Sequence, residues 1–257
     1  MLVIVWQRIN PLLVQFLENQ KAERLNSVYR KRFNTFQSVI TAAIEERYPQ
    51  ALVPQIIDLC MDYRVRDMLD LPPSVDLSAD WISYFLVRVL SDMIESWKRD
   101  KTSQLSELFR SSCGLYIDPE VETLQLAVAI FKCSRCPEMF RHIQRYPDVL
   151  THECLTRRTT PNTTYDYYET IASRTLDCSP WSCAALEVHR WVQRARVVIE
   201  VCGQDPARIT AAEMDILDPC FFCRLCTTQL AFMDWRMAVG LESNTPLSNP
   251  WIECDLP

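Results

Sequence analysis

Glycine is nearly missing from this chain: Gly114, Gly203 and Gly240 are the only three in 257 residues. Loops that cradle phosphate need clustered glycines, so the P-loop and the dinucleotide-binding fingerprint are both excluded, and with them the commonest nucleotide-dependent enzymes. Histidine is equally scarce, with His142, His152 and His189 the only three, which leaves few general bases for a nucleophilic thiol. No HExxH, GxSxG or supported paired-carboxylate motif occurs. Long apolar runs are also missing, since no stretch reaches the roughly 18 uninterrupted apolar residues of a membrane-spanning helix. Net positive charge is absent too. The formal charge is −6, so no global attraction to nucleic acid or anionic lipid is expected.

What the chain does have is the composition of a folded protein: 48% hydrophobic, 10% aromatic and 23% charged residues, able to bury a core without disulfide support. It also has 12 cysteines. The compartment decides whether such thiols pair or bind metal. Met1 to Trp6 is apolar, but Arg8 and Pro11 interrupt it, no basic segment precedes it and no small-residue cleavage site follows, which argues against a secretory signal. A cytoplasmic or nuclear location with reduced thiols is therefore expected, and the sequon at Asn162-Thr163-Thr164 is read as fortuitous.

Apolar periodicity predicts a mainly α-helical fold. From Leu12 to Tyr48 the residues Leu13, Leu17, Leu25, Val28, Phe36, Val39, Ala43 and Ile44 follow helical spacing up to Pro49, and the cluster Arg30, Lys31 and Arg32 reads as a solvated face. A second helix carries Trp81, Phe85, Val89 and Trp97 on one stripe, with Asp80 as its cap. Leu71-Pro72-Pro73 marks a turn between them. Asp118-Pro119-Glu120 announces a third helix running into Phe131. Another is predicted from Trp181 to Cys202, started by Ser179 and Pro180 and stopped by Gly203, with Trp181, Ala185, Val188, Val192, Ala195, Ile199 and Cys202 on its inner seam. Thr210 to Glu213 spells a capping box for a short helix through Leu217. Thr159 to Thr164 reads as an exposed loop.

The most specific signal is Cys133-Ser134-Arg135-Cys136 followed by Thr151-His152-Glu153-Cys154, a C-x2-C-x15-H-x-C pattern. Two thiolates separated by two residues can face one ion from a tight turn, and Phe131 suits a strand leading into it. His152 and Cys154 point the same way only in an extended or turn segment. Cys133, Cys136, His152 and Cys154 thus make a candidate zinc site with four ligands and no open position, structural and not catalytic. Buried thiols close in sequence are the alternative, and His142 is a rival nitrogen ligand. A second cluster, Cys220, Cys223 and Cys226, offers Cys223 and Cys226 as a CxxC pair, half of a second site that Cys220 or Cys254, or Cys113, Cys178, Cys183 or Cys202 from elsewhere, would have to help complete. Cys223 and Cys226 as a redox dithiol are a further reading, although no βαβ context surrounds them. His189 lies off the apolar seam and reads as solvent-facing or as a satisfied partner.

The stretches Phe131 to Cys136, Tyr146 to Cys154, Gly203 to Asp215, Cys223 to Cys226 and Asp234 to Val239, in that order, resemble the F-box-type proteins expanded in basidiomycete fungi. The resemblance covers most of the chain from about Tyr29. It implies Cys133, Cys136, His152 and Cys154 as the zinc ligands, Cys223 and Cys226 as half of a second site, and docking to ubiquitin-ligase components through an F-box. Met1 to Asn26 is shorter than that module, and Gly240-Leu241-Glu242 stands where the family tends to place a histidine.

The expected molecule is mainly α: a helical region 1–110 and a helical region 111–257 with a small zinc-knuckle-like segment, their boundary lying between Ser111 and Asp118. Its expected function is a non-enzymatic, zinc-stabilised protein-interaction module without catalytic residues. The alternatives are a zinc-dependent nucleic-acid-binding protein, with Arg135, Arg141, Arg145, Arg157 and Arg158 around the first site, and a thiol-redox protein.

Overall fold

A computed structural model describes residues 2–49, 51–118, 120–136, 143–158, 166–223, 232–240 and 251–254, with backbone alone at 2–9, 222–223, 232 and 251–254. The expected exposed loop at 159–164 lies outside them. The chain divides into two compact units, residues 1–98 with 156–181, and residues 99–155 with 182–257. Neither unit is a continuous stretch, and one helix supplies residues to both.

The first unit is helical, and the fold as a whole is mainly α. It contains α1 (Leu2–Arg47), α2 (Ile56–Cys60), α3 (Tyr63–Leu69), the part of α4 (Ala79–Ser112) up to Lys98, and α5 (Tyr167–Thr175). Phe33, Phe36 and Ile40 of α1 pack in one core with Ile57, Val65, Leu69, Ile82, Leu86, Leu90, Ile171 and Ala172. The predicted helix is thus present and extends further toward the N-terminus, through Pro11. Its buried stripe is displaced from the expected one, because Leu13 and Leu17 are exposed. In α4 the expected stripe is likewise rotated: Trp81 is exposed, and the buried face is Ile82, Leu86, Leu90, Met93, Ile94 and Trp97. The Ser78 hydroxyl, and not Asp80, accepts from the Trp81 backbone N–H at 3.3 Å.

Arg32 corrects the reading of its cluster as solvated. It is only 6% exposed, and its guanidinium donates to the carbonyls of Leu69, Leu71, Pro72 and Val75. The Leu71-Pro72-Pro73 turn predicted from the prolines is therefore held by one buried cation that satisfies four backbone acceptors at once. Tyr168 makes a comparable tie, its hydroxyl donating to the Cys60 carbonyl at 2.9 Å in the core.

The second unit mixes short helices with two small antiparallel sheets. The helix expected from Asp118 to Phe131 is replaced by one 3-10 turn, Thr123–Gln125, and the strand β1, Phe131–Cys133. Asp118 does accept from the Glu120 N–H at 3.0 Å, but the backbone beyond it pairs elsewhere: Ala127 N–H donates to Ile209 and the Ile130 carbonyl accepts from His189. The helix expected over 181–202 is likewise divided. Ser182 caps a 3-10 turn at Cys183–Ala185, Leu186–Val188 forms β2, and only Val192–Val201 is helical, as α6. Phe131, Lys132 and Cys133 pair with Val188, Glu187 and Leu186, so backbone bonding to a distant strand overrides the local period. The predicted stop stands, since Gly203 has φ +69° and follows the helix end. The capping box at Thr210 and Glu213 is present and opens α7, Ala211–Leu217. A second sheet follows, ordered β4-β3-β5, from Cys220–Cys223 (β3), Phe232–Met233 (β4) and Trp251–Cys254 (β5), with α8 at Trp235–Gly240.

No described helix is long and apolar enough to cross a membrane.

Candidate metal centre

The first sheet positions half of the site. Phe131 is fully buried and anchors β1, which carries Cys133, itself 1% exposed, to the end of the strand. The chain then turns through Ser134 and Arg135 to Cys136. That turn is fastened by Ser134, whose N–H donates to the Ala185 carbonyl at 2.8 Å, as does its hydroxyl at 3.1 Å.

The other half comes from two consecutive 3-10 turns, Asp148–Thr151 and Glu153–Leu155. Buried Val149 and Leu150 hold the first. His152 lies between them with extended backbone, φ −65° and ψ 114°, and Cys154 follows in the second turn, so an extended residue and a tight turn, not an α-helix, carry the pair.

These two pieces bring Cys133, Cys136, His152 and Cys154 together, with all four ligand atoms within 4.8 Å of one another. Cys136 Sγ is 3.3 Å from His152 Nε2 and 3.7 Å from Cys154 Sγ. Ligands bonded tetrahedrally to one ion at about 2.3 Å from sulfur and about 2.0 Å from nitrogen stand roughly 3.5–3.8 Å apart. The spacing therefore fits one ion held by three sulfurs and an imidazole. His142, the rival nitrogen ligand, lies outside the described residues.

Burial, and after it the neighbouring thiols of Cys154 and Cys133, push the Cys136 thiol up to about 12, since each raises the cost of forming the thiolate. Burial lowers the pKa of His152, which the nearby Glu153 partly offsets, and this favours the neutral imidazole that binds a metal.

Other groups singled out in the sequence fall elsewhere. His189 is buried, 6% exposed; its Nδ1 accepts from the Trp191 N–H at 3.0 Å and its ring lies 4.4 Å from that indole. Burial, with Lys132, Arg190 and Arg194 nearby, lowers its pKa to about 4. It is a satisfied internal group, the second of the two readings that its position in the sequence allows, and not a solvent-facing one. Of the arginines around the site, Arg135 donates to the Cys154 carbonyl at 2.7 Å, Arg145 donates to the Ala127 carbonyl and stacks on Trp235, and Arg158 pairs with Asp177. Arg141 lies outside the described residues. In the second cluster, Cys220 and Cys223 bound β3 and Cys254 ends β5, whereas Cys226 is outside the described residues. Among the described residues one Cys/His metal cluster forms.

The spacing pattern picked out all four residues of the cluster but not the scaffold between them. Arg135, Ser134 and the Ala185 carbonyl fasten the ligand turns, and nothing in the motif signals that residues some fifty positions apart would meet.

The chain matches no protein-family profile, no curated protein and no solved structure.

Proposed function

We propose that this chain is a non-enzymatic protein-interaction module whose second unit is built around a structural zinc ion. The observation that carries it is the closed ligand set: three thiols and one imidazole fill a tetrahedron, which leaves no position for water or substrate. Cys133, Cys136, His152 and Cys154 would hold the ion, whose bonding would fix the two turns that carry them. Zinc is the ion that such a soft, tetrahedral donor set favours.

Two further features support the reading. His152 belongs to the metal cluster and His189 is spent on the Trp191 N–H, so two of the chain's three histidines already have structural uses. Leu12, Leu13, Val14, Phe16 and Leu17 of α1 are all at least 42% exposed, a run of apolar side chains that a partner could cover. The resemblance of the cysteine motifs to F-box-type proteins makes ubiquitin-ligase components the first partners to try.

The test is elemental analysis of protein purified without added zinc, as wild type and Cys133→Ser. Zinc bound in wild type and lost in the variant, together with cooperative unfolding, is the expected result. Well-folded wild type free of metal would overturn the reading. Interaction is checked separately by capture of purified ligase adaptor, with Leu17→Glu as the control that abolishes it.

A further inference from the structure

The cysteines of the second sheet do not form one group. Successive residues of a strand alternate between faces, so Cys220 and Cys223, three positions apart in β3, stand on opposite faces. Phe221, which is fully buried, shares its face with Cys223. The other face holds Cys220. The register pairs Cys220 directly with Cys254 of β5, and directly opposed residues of an antiparallel pair share a face. Their Cα atoms are then about 4.5–5.5 Å apart, inside the roughly 4.4–6.8 Å that a disulfide spans. Cys220 is a half-buried free thiol, within reach of a small reagent, and is not part of the Cys133–Cys154 cluster. The opposite faces also separate this pair from Cys223, so a metal ion bound through Cys223 would not draw on Cys220 or Cys254.

We propose that Cys220 and Cys254 are a redox modification site, closing to a cross-strand disulfide by exchange with oxidised low-molecular-weight disulfides of the glutathione class. The thiolate of one cysteine attacks a sulfur of the small disulfide, forms a mixed disulfide and releases one small thiolate. The second cysteine, its proton lost to solvent, then attacks the protein-bound sulfur, closes the cross-strand bond and releases the second small thiolate. Two electrons pass from the protein dithiol to the small disulfide, and the two thiol protons end on the two small thiols. β5 is an edge strand paired with β3, so oxidation adds a covalent tie to that hydrogen-bonded pairing.

The full chain is exposed to oxidised glutathione under native conditions, remaining thiols are alkylated, and the digest is mapped by mass spectrometry. The expected result is a Cys220–Cys254 cross-link as the main product, with alkylation of both residues lost together and restored by dithiothreitol. In Cys220→Ser, Cys254 should stop at the mixed disulfide with glutathione. The same oxidation in denaturant should lose the preference, since the register is then gone. Pairing of Cys220 with Cys223 or Cys226, or full alkylation of Cys220 and Cys254 after native oxidation, would overturn the proposal.

Discussion

Arg135 donates to the carbonyl of Cys154 at 2.7 Å, and so ties the turn that carries Cys133 and Cys136 to the segment that carries His152 and Cys154. Removing it leaves every ligand in place but frees the two turns to move apart, and groups that only orient metal ligands typically account for about 10–100-fold in affinity. Arg135→Ala is therefore expected to weaken zinc binding by about tenfold with unchanged stoichiometry, measured by chelator competition. An unchanged affinity would show that the turns are fixed without it.

His152 gives a second test of the same geometry. A thiolate can replace the imidazole in a tetrahedral site, whereas a methyl group cannot. His152→Cys should retain the ion as a four-sulfur site, and His152→Ala should lose it to chelators far more readily. Equal retention by both variants would exclude His152 as a ligand.

His189 makes stability depend on pH. Its pKa in the fold is lowered to about 4 from an ordinary 6.5, so the unfolded chain binds the proton first. Its contribution is present above about pH 6.5 and is lost as pH falls toward 4. At one pKa unit per 1.36 kcal/mol the effect is at most about 3 kcal/mol. Denaturant midpoints between pH 7 and pH 4 should fall in wild type and fall less steeply in His189→Gln.

Arg32 is the largest single polar tie in the first unit. Arg32→Met leaves the four carbonyls it serves to find water or stay unpaired, at an expected loss of about 2–4 kcal/mol in unfolding free energy. Arg32→Lys should recover less than half, because one ammonium cannot reproduce the planar fork. Urea titration distinguishes the two.

Thr210→Ala removes the side chain that accepts from Glu213 N–H at 3.1 Å at the start of α7. A loss of about 1 kcal/mol is expected, read from thermal unfolding.

Signals that are local in the chain were legible in the sequence. The Cys/His cluster, the strand at Phe131, the capping box at Thr210 and the stop at Gly203 each depend on a few neighbouring residues, and the structure contains all four features. Features decided by distant partners were not. Ala185 and Val188 fit a helical seam, yet Leu186 to Val188 pair with Phe131 to Cys133. Ala127 and Ile130 bond to Ile209 and His189, which removes the helix that Asp118 and Glu120 announce. Arg32 looks solvated beside Arg30 and Lys31 until the carbonyls of Leu69 to Val75 are brought to it. Periodicity says that a face is buried, but not which segment buries it.

The two-piece composition of the first unit sets an order of events during synthesis. Tyr168, Ile171 and Ala172 complete its core, yet they leave the ribosome only after Cys133, Cys136, His152 and Cys154. A chain growing from its N-terminus must therefore hold α1 to α4 with an unfinished core while the whole metal-ligand set emerges. The four cluster residues thus emerge before the first unit can close, and a chain terminated at residue 155 would contain all four with an open, aggregation-prone first core.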